Sequence, residues 1–293
     1  MILENEHSIF SVIKSGRNMI QGFLINWPQV LRQKKISQYR PHVSIVLERP
    51  NYIIKTAENS AELEEIFELR HSIFYEEMLG KHKFNHVDVD AFDMFFDHLL
   101  ILDKKTKKIV GTYRLNSSLF SEEFYSEMEF EIHGIKKLPG RKLELGRACV
   151  HKNFRNGIVF SLLWKGIWEY IAQTFTRYVF GCSSISSINH QTAALVYLHL
   201  KRHHLAGAEF RIYPREEFRI KHFNDHFHFA RALISRIPLD VEQYIPPLLQ
   251  LYLKHGAKIC GEPAFDQKMR CIDFFTLIDI NAVDQKMSRL LSR

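Results

Sequence analysis

The sequence predicts an α/β fold in which a mixed central sheet is flanked by helices, with a helical arm at the N-terminus. Short runs of β-branched and aromatic residues alternate along the chain with longer segments whose apolar residues recur at helical spacing. Hydrophobic residues occupy 46% of the 293 positions, which is enough apolar surface for one large domain. We therefore divide the chain into an amphipathic arm, residues 1–50, and one α/β domain, residues 51–293.

The predicted elements follow the order strand, helix, three strands, helix, strand, helix from residue 52 onward. Each strand is a short apolar run between polar turns: YIIKTA, HLLILD, KIVGTYRLN, RKLELGRACV and YVFGCSS. Helical spacing of apolar residues predicts helices at about residues 60–78, 157–176 and 190–200. Beyond these, we predict a strand at EFRIYP, a helix at VEQYIPPLLQLYLKHG that ends at Gly256, and a last strand at DFFTLIDI.

The N-terminal arm combines apolar and basic residues. Phe10, Phe23 and Trp27 are interspersed with basic residues such as Arg17 and Lys34. A basic amphipathic segment that contains Trp is typical of a helix lying on an anionic membrane surface. A helix packed on the domain explains the pattern equally well, so both interpretations stay open. The formal net charge of +7 favours anionic partners without naming one.

Several classes of protein are disfavoured. The cysteines are scattered without a C-x-x-C pair, which indicates a reducing compartment and argues against disulfides and a zinc site: Cys149, Cys182, Cys260 and Cys271. No apolar stretch reaches the ~18–20 residues of a membrane span, and we find no secretory leader. No nucleic-acid recognition motif accompanies the basic residues, so we expect no nucleic-acid partner. With the cysteine pattern and the missing leader, we expect a cytoplasmic protein without a metal site.

The segment DVDAFDMFFDH, residues 88–98, is called the acidic segment here. It places carboxylates among aromatic residues, which a solvent-exposed acidic loop rarely contains. Arg70 lies on the apolar face of the first predicted helix, so it must be paired or bind an anion. Arg70 and Arg114 are candidate partners for Asp88, Asp90 and Asp93. Helix caps and surface ion pairs are the alternative explanation of these aspartates.

The predicted strand LELGRACV contains a second candidate group. Its small residues suit a site where a ligand approaches the backbone closely. Glu144 and Arg147 would point to opposite faces of a regular strand, and a bulge at Gly146 would bring them together. Ion pairing within the sheet is the structural alternative for both. The following HKNFRNG precedes a helix, so its backbone amides and Arg155, Asn156 and Gly157 predict a phosphate site.

These motifs together resemble the GNAT acyltransferase fold, and more closely its branch of acyl-homoserine-lactone synthases and ornithine N-acyltransferases. That branch has Arg before Phe on the first helix, an acid-x-Asp-x-x-Asp loop, a Gly-x-x-Arg-Leu strand and a Glu-x-x-Arg strand. This chain has LRHSIF, DVDAFD, GTYRL and ELGR in that order. Over residues 52–280, segments such as LLWKGIWEYI are more similar to the ornithine N-acyltransferases. Ile158 and Phe160 replace the small residues of the general GNAT loop, which disfavours acetyl-CoA and is compatible with acyl carrier protein.

The resemblance implies transfer of a 3-hydroxyacyl group from acyl carrier protein to the α-amine of ornithine, giving lyso-ornithine lipid. The donor substrate is then acyl-phosphopantetheine, with no permanently bound cofactor, and the amphiphilic product suits attachment to the inner face of the cytoplasmic membrane. Glu144 is our candidate base, and backbone amides of its strand are candidate oxyanion donors. We expect Arg147 to assist Glu144, and Arg70, Arg114 or Arg147 to bind the ornithine carboxylate. We also expect phenylalanines to line the acyl tunnel, and three aspartates to attract the ammonium groups: Asp88, Asp90 and Asp93.

Two other functions remain open at this point. A signal synthase would make acyl-homoserine lactone or another N-acyl amino acid, and S-adenosylmethionine as acceptor would distinguish it. A non-catalytic carrier- or membrane-binding protein would keep the fold without the reaction.

Overall fold

A nine-stranded mixed sheet is the main element of the computed structural model, which describes residues 36–81, 85–237 and 239–283. The spatial order is β1-β2-β3-β4-β5-β6-β9-β7, with β8 paired to β9. The predicted mixed α/β sheet is therefore confirmed. The strands are β1 (Val46–Glu48), β2 (Tyr52–Thr56), β3 (Asp97–Asp103), β4 (Lys108–Ser117), β5 (Arg141–Val150), β6 (Thr176–Ile185), β7 (Lys258–Ile259), β8 (Ala264–Asp266) and β9 (Cys271–Asp279).

Helices cover both faces of this sheet. Side chains of β3 alternate between the faces, so Leu100 packs with the first helix whereas Leu99 and Ile101 pack with the third. None of the described helices is long and apolar enough to cross a membrane. The helices are α1 (Ser60–His71), which continues as a π-turn over Ser72–Glu77, α2 (His133–Lys137), α3 (Ile158–Thr174), α4 (His190–His203), α5 (Phe223–Ile234) and α6 (Pro247–Lys254).

The prediction of a strand at EFRIYP is wrong. Ala208–Phe210 forms a single 3-10 turn, and the N–H of Ile212 donates one hydrogen bond to the Cys260 carbonyl. The apolar alternation is present, because Ile212 is buried and Tyr213 is exposed. Among the described residues, strand-like pairing of this segment stops at one isolated bridge, that of Pro214 with Phe130.

The predicted N-terminal arm is described only from residue 36. Its basic amphipathic part lies within residues 1–35, outside the described residues. The following part belongs to the domain, because Ile36, Tyr39 and Val43 are buried and β1 pairs with β2 in the register Leu47↔Ile54.

The strands β5 and β6 pair in parallel and then diverge. Their register runs from Arg141↔Thr176 to Glu144↔Phe180, although both strands continue well beyond these positions. Gly181 lies where they part, and a Cβ there would stand 2.2 Å from the Leu145 carbonyl oxygen. Glycine therefore permits the close approach, and a wedge opens between the strands beyond it.

Candidate functional site

A cavity of about 310 Å³ occupies the wedge between β5 and β6. One part of its lining is polar and comes from the strands and the turn before α2. The other part is apolar and comes from β4, α3 and α6, including Tyr113, Trp164, Leu249 and Tyr252. A mostly apolar cleft with a few convergent polar groups is the usual form of a small-molecule site.

Glu144 lies in this cavity with both carboxylate oxygens held. The backbone N–H groups of Tyr125 and Ser126 donate to it at 2.7 Å each, and the Ser126 hydroxyl donates at 2.5 Å. Burial raises the pKa of Glu144 despite these three donors. The carboxylate is thus both fixed in place and a better proton acceptor than an exposed glutamate.

The strand β5 has a bulge beside Glu144. Thr112 pairs with Cys149 and Arg114 pairs with Gly146, so β5 carries one extra residue, and Arg147 has a positive φ of 50°. A bulge of the kind considered from the sequence is therefore present. It does not join Glu144 to Arg147, because the Arg147 side chain turns to the acidic segment instead.

Arg70 is completely buried and binds two aspartates of the acidic segment. Its Nε donates to Asp88 at 2.9 Å, and its two terminal nitrogens donate to Asp93 at 2.7 and 3.1 Å. The prediction that Arg70 is paired is confirmed. Burial alone would raise the pKa of Asp88, but the Arg70 and Arg147 charges hold it below its usual range.

Asp90 joins the other two arginines. Arg114 donates to Asp90 at 2.7 Å and to Asp93 at 3.0 Å, while Arg147 donates to Asp90 at 3.1 Å. We call the six residues the charged network: Arg70, Arg114, Arg147, Asp88, Asp90 and Asp93. Asp90 also caps the turn Ala91–Met94. Three positive and three negative charges balance within the network, and its predicted attraction of an ammonium group stays a prediction.

The phenylalanines of the acidic segment mostly cover the charged network. The rings of Phe92 and Phe96 lie 5.8 and 5.6 Å from the Arg114 guanidinium, and the Tyr125 ring lies 5.0 Å from it. Of the phenylalanines in the segment, Phe96 lines the cavity. Much of the apolar wall comes instead from α3 and α6, whose role there sequence reasoning did not identify.

The predicted phosphate site lies at the start of α3. Gly157 adopts the left-handed conformation there, and the Asn156 side chain accepts a hydrogen bond from the N–H of Ile158 at 3.1 Å. Arg155 is exposed and pairs with Glu77, with one nitrogen–oxygen distance of 2.9 Å. Phosphate binding by Arg155, Asn156 and Gly157 stays a prediction, and an incoming phosphate would compete with Glu77.

Sequence reasoning missed three further carboxylates in the cavity wall, which we call the acidic cluster: Glu129, Asp266 and Asp273. All three are buried. Burial, reinforced by the two aspartates, raises the pKa of Glu129, and burial raises the pKa of Asp273 to about 6. An aspartate among the apolar residues of CIDFFTLID was the available signal, because a buried charge in a strand needs a partner.

Neither Glu144 nor any member of the acidic cluster forms an ion pair with a Lys, Arg or His of the described ranges. Arg147 is a cation whose charge reaches Glu129 and Asp273, but its guanidinium contacts Asp88 and Asp90. The acids of the cavity wall therefore have no directly paired cation among the described residues, in contrast to the balanced charged network beside them.

Similarity to known proteins covers most of the chain. A model of the acetyltransferase (GNAT) domain matches residues 69–165. The L-ornithine N(alpha)-acyltransferase of Agrobacterium fabrum is 30% identical over 243 residues, which are 78% of this chain and 81% of that protein. The protein of the same name from Rhodobacter capsulatus is 29% identical over 83% of this chain and 95% of its own length. A solved CoA-dependent acyl-homoserine lactone synthase, BjaI, matches 79% of this chain and 80% of its own at 16% identity and a TM-score of 0.44.

Proposed function

This chain belongs to the L-ornithine N(α)-acyltransferase family, and from this premise we propose that it transfers a 3-hydroxyacyl group from acyl carrier protein to the α-amine of ornithine. It is an N-acyltransferase, so its product is an amide. The observation that carries the proposal is a buried, fully hydrogen-bonded Glu144 at the point where β5 and β6 part, with an apolar wall opposite. The product is lyso-ornithine lipid.

The reaction needs a neutral amine, and Glu144 supplies the base. Its carboxylate takes a proton from the α-ammonium group, and the amine nitrogen then attacks the thioester carbonyl. The carbon–sulphur bond breaks, and the phosphopantetheine sulphur takes the proton held by Glu144 and leaves as the thiol. The regenerated Glu144 carboxylate then accepts the second proton of the nitrogen, which passes to solvent. A positioned general base contributes roughly 10²- to 10⁴-fold in rate.

The oxyanion and the ornithine carboxylate are bound by groups next to Glu144. Backbone amides of the β5 bulge are the candidate oxyanion donors, since they border the cavity and lie beyond the last β5–β6 pair. For the carboxylate we favour Arg147 over Arg70. The Arg147 side chain is 19% exposed and borders the cavity, and its Nε makes no hydrogen bond among the described residues, although it lies 3.3 Å from Asp88. Arg70 is buried with every guanidinium nitrogen engaged.

The acyl chain occupies the apolar wall of the cavity. Tyr113, Trp164, Leu249 and Tyr252 provide its surface. The buried indole N–H of Trp164 has no hydrogen-bond partner among the described residues, so it is available to the 3-hydroxyl of the acyl group. The Tyr113 and Tyr252 hydroxyls bind each other in the same wall.

Acyl carrier protein is the proposed donor because the helix that follows β5 lacks the small residues of the general GNAT loop. Ile158 and Phe160 occupy those positions. The exposed Lys152 and Arg155 lie beside this helix start and can attract an acidic carrier. The basic composition of residues 1–35 suits peripheral attachment to an anionic membrane surface. Co-sedimentation with phosphatidylglycerol vesicles would test this attachment.

The proposal is tested by incubating the purified protein with 3-hydroxyacyl carrier protein and ornithine and identifying the amide by mass spectrometry. Unhydroxylated acyl carrier protein, acyl-CoA and S-adenosylmethionine as acceptor are the comparison arms. We expect the amide of ornithine, formed faster from acyl carrier protein than from CoA. If product forms from S-adenosylmethionine and none forms from ornithine, the protein is a signal synthase and the proposed function is wrong.

The variant Glu144→Gln tests the role of the base. We expect the rate of the amide-forming step to fall by roughly 10²-fold or more with the fold retained, as judged by circular dichroism. A Glu144→Gln protein that is folded and fully active would remove Glu144 from the mechanism.

A further inference from the structure

We infer that Glu129, Asp266 and Asp273 bind the second, distal ammonium group of a diamino acid acceptor and so select ornithine over amino acids with neutral side chains. The inference rests on the proposed function, because it concerns the acceptor in the same cavity. The acidic cluster then acts as a specificity element, while Glu144 serves the α-amine.

Glu129 carries the argument. Its side chain is 3% exposed and lines the cavity, and its Oε2 has no hydrogen-bond partner among the described residues. A buried carboxylate oxygen without a donor is strongly unfavourable. An ammonium group placed in the cavity would supply both the missing hydrogen bond and the opposite charge.

The two aspartates of the acidic cluster also lack a cationic partner among the described residues. Asp273 accepts a hydrogen bond from the Ser184 hydroxyl, and Asp266 accepts from the N–H groups of Lys268 and Met269. These donors are neutral, so an ionised acid of the cluster has no directly paired cation among the residues that the structure describes. In the charged network, by contrast, every aspartate has an arginine within ion-pair distance.

The cluster is close to the proposed reaction centre. The turn that ends at Glu129 also contains Ser126, whose N–H and hydroxyl bind Glu144. Cys182 lies in the same part of the cavity, because its sulphur is 3.6 Å from the Ser126 Oγ and it lines the cavity together with Glu129 and Glu144. One amino acid can thus reach both: its α-amine at Glu144 and its distal ammonium at Glu129.

This placement explains discrimination between acceptors. Norvaline has the carbon chain of ornithine without the terminal amine. Its binding would leave the acidic cluster buried and unpaired, and a site built to pair a polar group rejects an analogue that lacks it.

A divalent cation is the competing occupant. One ligand atom each from Asp266, Cys271 and Asp273 lies within 4.8 Å of the others, and these residues are buried. Glu129 is not among them, and the cation would leave the Glu129 Oε2 unpaired. An ammonium group would pair with the buried aspartates and would also donate a hydrogen bond to the Glu129 Oε2.

The test compares ornithine with norvaline in the wild-type protein, in Glu129→Gln and in the control Asp279→Asn, which changes an acid of the same strand as Asp273 outside the cavity. For ornithine we expect kcat/KM to fall by about 10- to 100-fold in Glu129→Gln, the range of a hydrogen bond to a charged group. For norvaline we expect a change of less than about 3-fold, and none for either acceptor in Asp279→Asn. Asp273→Asn gives the same comparison if Glu129→Gln does not fold.

Equal loss for both acceptors, or no loss for either, would overturn the inference. Calorimetric titration of the same proteins with ornithine and norvaline measures acceptor binding without acyl transfer. It therefore tests the inference separately from the proposed function. A wild-type protein that makes no amide but prefers ornithine to norvaline, with the preference lost in Glu129→Gln, would refute the acyltransferase and retain the subsite. An ornithine preference that disappears with EDTA and returns with Mg²⁺ would assign the cluster to a metal instead.

Discussion

Replacing Arg70 by Met removes the central cation of the charged network while keeping an apolar side chain of similar length. Arg70 is 0% exposed and binds Asp88 and Asp93 through three hydrogen bonds. After the change, Asp93 keeps Arg114 and the N–H of Asp90, and Asp88 keeps the Nε of Arg147 at 3.3 Å. Breaking a buried ion pair by removing one partner destabilises a protein by about 3–5 kcal/mol, because the remaining charge is left uncompensated.

Arg155→Met is the matched control. Arg155 also binds a carboxylate through two nitrogens, but its side chain is 42% exposed, and an exposed pair contributes about 0–1 kcal/mol. Urea unfolding followed by tryptophan fluorescence measures both free energies. The reasoning is refuted if Arg70→Met loses less than about 1 kcal/mol, or if the two variants lose the same amount.

Two further changes test other parts of the structure. Burial raises the pKa of Asp273 to about 6, above its unfolded value, so the stability that this raised pKa provides is present below about pH 4 and is lost as the pH rises through 6. Asp273→Asn should therefore raise the free energy of unfolding by about 2–3 kcal/mol at pH 8 and by much less at pH 4; a less stable variant at pH 8 would contradict this. Gly181→Ala should lower stability by about 1–3 kcal/mol in thermal unfolding, since its Cβ would stand 2.2 Å from the Leu145 carbonyl oxygen, and an unchanged melting temperature would disprove the close approach.

Local patterns in the sequence predicted most of the elements and the pairing of Arg70. Arg70 falls on the apolar face of α1, where it needs a partner, and the acidic segment supplies Asp88 and Asp93 within about twenty-five residues. The sequence also raised the possibility of a bulge at Gly146, and the structure has one there, with a positive φ at Arg147.

The acidic cluster could not be predicted from local patterns in the sequence. Glu129 is in a turn before α2, whereas Asp266 and Asp273 belong to β8 and β9, so long-range packing brings them to one cavity. No spacing along the chain connects them. The apolar alternation at EFRIYP failed for the related reason that alternation describes a side chain's burial and not the partner strand it needs.

The position of the acyl group on ornithine tests the account most directly. Tandem mass spectrometry of the product formed from 3-hydroxyacyl carrier protein distinguishes the amide at the α-nitrogen from that at the distal nitrogen. With the α-amine at Glu144 and the distal ammonium held by the acidic cluster, we expect the α-amide throughout. Predominant acylation of the distal nitrogen would contradict the assignment of Glu144 and of the cluster together.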